Sequence, residues 1–189
     1  GTVESGEGDA WFFEAESHPV DGLTISPRFE RSGTHFRNPA SSAVQEGTRK
    51  ASVTAEYRID ENTHLSAQFI DEEDYENDAD RNHASVGIER DEGKTRYGVR
   101  LIRQRADDGT VSVPESRFEQ SMDRSAFDLS EETPDKMLAA EGYIQHDWSE
   151  TLSLSLLHRQ ELRYEQHNLT QIGADFALSG GNAFYVREE

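Results

Sequence analysis

Lys50 to Asp71 reads KASVTAEYRIDENTHLSAQFID, and its alternation decides the fold class. Ala51, Val53, Ala55, Tyr57 and Ile59 fall on one face of an extended chain, and Ser52, Thr54, Glu56 and Arg58 fall on the other. Asp60-Glu61-Asn62-Thr63 interrupts the pattern with turn-forming residues. Leu65, Ala67 and Phe69 then resume it against Ser66 and Gln68. Period-two alternation on both sides of a short polar turn predicts an antiparallel hairpin with one dry face and one wet face.

The rest of the chain repeats this unit. Asp9–Ser17 carries Trp11, Phe13 and Ala15 on one side, and His18 to Gly22 reads as a turn. Leu23, Ile25 and Phe29 alternate with polar residues. Pro27 inside that run removes a ladder donor, which predicts an edge, a bulge or a shortened strand. Further strands are predicted over His83–Arg90, Thr95–Arg103, Met137–Asp147, Thr151–Leu162, Leu169–Leu178 and Ala183–Arg187. The whole is an all-β antiparallel up-and-down meander of about ten strands in one domain.

Composition narrows the function. The chain has 189 residues and a formal net charge of −19, so it lacks the basic stripe that nucleic acid requires. It has no cysteine, which excludes disulfides and thiolate metal sites. No window approaches the roughly 20 apolar residues of a membrane helix. The first residue is Gly1, and the last are Arg187-Glu188-Glu189, which reads as a mature chain or a piece of a longer one.

Connections alternate between short and long. The short ones centre on Asp21, Glu61, Glu92, Ser149 and Gly180. The others are 32–49, 72–82, 104–136 and Arg163–Asn168, with a short helix expected after Ser130. A meander puts alternate connections at opposite ends of the sheet, so one end is trimmed and the other carries long loops.

By this asymmetry and by the hairpins Lys50–Asp71, His83–Arg103, Met137–Leu162 and Leu169–Arg187, the chain resembles Gram-negative outer-membrane β-barrels, of porin or TonB-dependent-receptor type. The resemblance is one of architecture. It implies a transmembrane barrel in the bacterial outer membrane, acting as channel, receptor or surface scaffold, with the lipid bilayer as partner and no cofactor. The end at Glu189 and the Ala- and Gly-rich apolar face imply an internal segment of a larger barrel. Glu56, Arg58, Glu89, Arg96, Arg100, Glu141 and Asp175 would line the lumen, where mixed charges sort solutes by charge and size. Tyr57, Trp148 and Phe176, each close to a tight turn, would form an interfacial aromatic girdle. Two other readings use the same residues. One is a soluble secreted or periplasmic barrel around a small apolar ligand, with Tyr57, Ile88 and Leu154 in its core. The other is a surface adhesin or assembly module working through the loop 104–136.

Candidate chemical sites are sparse. The acidic run Asp71–Asp80 could supply calcium ligands, and Asp78, Asp80, Asn82 and Glu89 sit at EF-hand offsets. His83 stands where the sharp turn needs glycine, so a solvated acidic loop is favoured and no metal is expected. His146 and His158 would face each other if the Trp148 hairpin had the right register. A nucleophile–base pair could be drawn from Ser153 or Ser155 with His158, but Ser alternating with Leu is what a strand looks like and no Gly-x-Ser-x-Gly elbow is present; no enzymatic role is expected. Phe36, Phe118 and Phe127 fall in long loops, where packing onto the barrel is expected.

Overall fold

The computed structural model describes residues 9–33, 47–75, 78–106, 136–163, 168–177 and 183–188, and beyond Ala174 the backbone alone. The strands are β1 (Ala10–Glu14), β2 (Ser17–Val20), β3 (Leu23–Ser32), β4 (Thr48–Arg58), β5 (Thr63–Asp74), β6 (Ala79–Asp91), β7 (Thr95–Ala106), β8 (Lys136–Ser149), β9 (Leu152–Arg163), β10 (Leu169–Ala177) and β11 (Ala183–Glu188). All pair antiparallel in one sheet that follows chain order from β1 to β11, with β2 beside β3. Among the described residues there is no helix and no second sheet. The predicted all-β meander is therefore observed.

Pro27 acts on its neighbour rather than on its own strand. β3 runs unbroken through it and pairs with β4 at Val53. The facing strand is the one that breaks, at Ala15 and Glu16 between β1 and β2. Ala15 N–H still donates to the Pro27 carbonyl at 3.1 Å, but Pro27 has no N–H to return. The register between β2 and β3 also shifts, between Ser17 and Val20. His18–Val20, expected as turn, is strand, and the turn is reduced to Asp21 and Gly22.

The Lys50–Asp71 hairpin forms as read, with Tyr57 opposite Leu65 and Val53 opposite Phe69. Its turn is held from within. Asn62 N–H donates to the Asp60 carboxylate at 2.8 Å, and this bond, with one from the Thr63 hydroxyl, holds the Asp60 carboxyl below its usual range.

One predicted loop is corrected. The stretch 72–82 is mostly strand: β5 runs to Asp74 and β6 starts at Ala79. Its acidic residues alternate between faces and are tied by cross-strand charge. Glu72 and Asp74 are buried, while Glu73 faces Arg49 at 3.3 Å. The strict alternation of short and long connections fails at this point. The asymmetry rests on 33–47 and 107–135. β7 extends to Ala106 and β8 begins at Lys136. The helix expected after Ser130, and Phe36, Phe118 and Phe127, lie outside the described residues.

A candidate functional site on the two faces of the sheet

Alternation gives each strand two faces, and the structure assigns burial to the polar one. Gln68, Glu72, His83, Glu89, Arg100, Gln104, Glu141, Gln145, Glu161 and Gln171 are buried. The apolar set faces outward: Val53, Leu65, Phe69, Val86, Ile88, Leu101, Leu154, Leu156 and Ile172 are exposed, and Val99 is 58% exposed. A single layer encloses one side by curling toward it. Tyr57, Ile88 and Leu154, core residues of the soluble reading, are all on the exposed face.

Two carboxylates organise the buried face. Glu141 on β8 lies between Arg100 on β7 and Arg159 on β9, its direct cross-strand neighbours. Arg100 Nε and Nη2 approach Oε1 at 2.8 and 2.7 Å. Arg159 Nε and Nη2 approach Oε2 at 2.7 and 2.6 Å. Both carboxylate oxygens are thus saturated by forked, charge-assisted donors. Nearer the opposite end, Glu72 on β5 receives Arg81 Nη1 from β6 at 3.0 Å, and Lys50 Nζ from β4 lies 3.4 Å away. Each cluster joins three strands.

The expected lumen residues divide into three groups. Arg100 and Glu141 meet directly. Glu56 and Arg58 line a recess of about 640 Å³ with His18 and His64 at the tight-turn end. Glu89 and Arg96 line an adjoining recess of about 250 Å³ with His64 and Tyr143. The side chain of Asp175 lies outside the described residues, as does that of Phe176. Arg159, Lys50, Glu72 and Arg81 were missed. The alternation in Leu152–Arg163 places Arg159 beside Ser155 on the polar face, which was a usable signal. Glu72 and Arg81 were hidden inside an expected loop.

The aromatics expected at the tight-turn end face outward: Tyr57 is exposed, and Trp148 stands edge-on to His146 at 6.0 Å between ring centroids. Exposed Tyr97 joins them. A second group, Trp11 on β1 and Tyr75 after β5, lies at the other end of the sheet.

The chemical alternatives do not assemble. His146 is opposite Leu154 and His158 opposite Gly142, so the two histidines do not face each other. They bond instead to Thr95 and Thr170, each at 2.8 Å. Ser153 and Ser155 lie on the polar face and His158 on the apolar one. Asp80 and Asn82 point away from the face that holds Glu89, and no cluster of metal-ligating side chains occurs among the described residues.

The outward-facing apolar residues, some exposed and some half-buried, form a belt that crosses the strands obliquely, with exposed Leu162 outside it. On β3 it covers Leu23 to Phe29, and along β4 and into its turn Ala51 to Ile59. On β7 it covers only Tyr97 to Leu101, and on β9 Leu152 to Leu156. One ladder row makes the drift plain. Leu23, Tyr57, Leu65, Ile88, Val99, Gly142, His158 and Thr170 are successive partners, apolar at first and polar at the end. From β3 to β9 the belt's centre moves by about seven residues, from three past Leu23 to four before His158. At roughly 3.4 Å per residue and 4.8 Å between strands, the strands incline to the belt normal by about 40°.

Neither a family model nor a curated protein matches this sequence.

Proposed function

We propose that this chain forms an integral outer-membrane β-barrel, or a sector of one, with the belt against lipid and the polar face toward a wet interior. The observation that carries this reading is the oblique belt on the exposed face. A soluble sheet has no reason to expose its apolar side chains, still less to confine them to a band that ignores strand ends. A strand crossing a bilayer at 35 to 45° places its lipid-facing residues on such a diagonal. Aromatics near both margins support it further, with Tyr57 and Tyr97 toward one edge of the belt and Trp11 and Tyr75 beyond the other.

The interior would carry fixed, paired charges rather than a single-sign field. Glu141 and Glu72 lock neighbouring strands through their cation partners. The recesses beside Glu56 and Glu89 concentrate further ionisable groups near the tight-turn mouth. This arrangement suits a channel or receptor interior that passes or holds polar solutes. The rival, a soluble barrel with an apolar core, would put Ile88 and Leu154 in that core, and their exposure favours the membrane reading.

The test is fractionation of the full-length protein between detergent-extracted outer membrane and soluble extract, with gel migration compared before and after boiling. A membrane-bound protein with a heat-shifted band is expected. A soluble monomer whose band ignores boiling rejects the reading.

A further inference from the structure

The polar face of the sheet is not uniformly filled. Along β5 to β10 its side chains are packed away from solvent: Gln68, Ile70, Ile102, Ala139, Leu157 and Gln171 are at most 5% exposed. Along β3 and β4 the same face stays accessible. Thr24, Ser26, Thr54 and Glu56 are half-buried, and Arg58 is exposed. Solvent therefore reaches the polar face on the side of β2 to β4, and the recess of about 640 Å³ lies against that wall.

Turn and register fix its lining. β2 brings His18 and the β2–β3 turn brings Asp21, while Thr24 stands on β3, Glu56 and Arg58 on β4 and His64 on β5. Thr24 is the ladder partner of Glu56, and His64 that of Arg58. Arg58 N–H donates to the Gly22 carbonyl at 2.8 Å, which holds the turn against β4. Glu56 and Arg58 are two residues apart on one strand, so their side chains leave the same face from points roughly 7 Å apart. Glu56 already interacts within the protein. A carboxylate offers about four acceptor positions, so that interaction steadies Glu56 without exhausting it.

The recess thus presents a forked cation and a carboxylate at a set spacing. A simple anion that reached Arg58 would also meet Glu56, and a simple cation that reached Glu56 would also meet Arg58. A solute that carries both charges satisfies both groups. The spacing adds a length. An extended dipeptide separates its terminal ammonium and carboxylate by about two residues, at roughly 3.5 Å each, whereas a single amino acid holds them on one carbon. We propose that the recess binds a short peptide with free termini, of dipeptide length, with Arg58 taking the terminal carboxylate and Glu56 the terminal ammonium. The guanidinium fork suits a carboxylate, and the volume is that of an ordinary small-molecule pocket. The proposal rests on the membrane reading for its wet inner face and names a solute class for that face.

The test uses the full-length protein in mild detergent, with the heat-shifted band reporting the fold, and titrates dialanine by calorimetry. Wild type should bind dialanine, and acetylating the amine or amidating the carboxylate of the peptide should each weaken binding about tenfold. R58Q should cost about tenfold against dialanine and nothing against the amidated peptide. E56Q should cost about tenfold against dialanine and nothing against the acetylated peptide. Loss against all three peptides alike would make either residue structural and overturn the assignment. Equal affinity of wild type for free and blocked peptides overturns it without any variant. A heat-shifted wild type that ignores dialanine overturns the site and leaves the membrane reading standing. A soluble wild type that binds dialanine does the reverse, and one that ignores it defeats both readings together.

Discussion

Glu141 carries the largest single electrostatic commitment in the sheet. Its side chain is fully buried between two arginines that donate to both of its oxygens. Such an arrangement is weak evidence of net stability, because desolvating three charges offsets much of their attraction, yet removing one member leaves the others uncompensated. Glu141→Gln is therefore expected to destabilise the fold by about 3 kcal/mol or more, read as an earlier heat-shift midpoint on the gel. Glu72→Gln should lose less, because the Lys50 partner is better solvated and longer in reach, at 3.4 Å. Joint replacement of Arg100, Glu141 and Arg159 by apolar residues of similar size should recover most of the loss. If Glu72→Gln proves the more damaging, the ranking by burial is wrong.

Turns and registers belong to the scale of the element. Gly22 and Gly93 both adopt positive φ, at 78° and 73°, but their surroundings differ. A Cβ on Gly22 would come within 3.0 Å of the Arg58 carbonyl oxygen, whereas one on Gly93 would meet nothing within 4 Å. Gly22 also accepts the Arg58 N–H at 2.8 Å, which ties the β2–β3 turn to β4. Gly22→Ala should then combine backbone strain of about 1 kcal/mol with a clash, and Gly93→Asn should be nearly silent, since asparagine tolerates this conformation. Amide exchange at Arg58 reports the difference, and equal protection in both variants would remove the steric argument. Strand-level reading from sequence was strong where alternation was carried by apolar residues, as in Lys50–Asp71. It failed over Glu72–Asp74 and Ala79–Asn82, because acidic residues mark loops by composition, and their partners Arg49, Lys50 and Arg81 become visible only with the register.

At the scale of the whole molecule, alternation has no sign. It separates two faces without saying which is enclosed, so the seven expected interior residues and the apolar side could have exchanged places. Burial of Glu141 beside exposure of Val99 supplies the sign, and the oblique belt supplies a direction. The belt measures about 27 Å along β4 but about 14 Å along β5 to β7, at roughly 3.4 Å per residue. In the membrane reading the bilayer thins beside β5 to β7. The diagonal itself is testable with one ladder row. Val99 on β7 and Thr170 on β10 lie on the row that runs through Gly142 and His158. A belt perpendicular to the strands would hold both at one depth. The oblique belt puts Val99 at its middle and Thr170 beyond its margin. Val99→Arg should then impair folding into bilayers by about 2 to 4 kcal/mol, and Thr170→Arg by about 1 kcal/mol or less. Refolding yields into lipid vesicles over a denaturant series measure both. Equal penalties would mean that the strands stand upright to the belt. If neither substitution matters, the exposed face does not meet lipid at all.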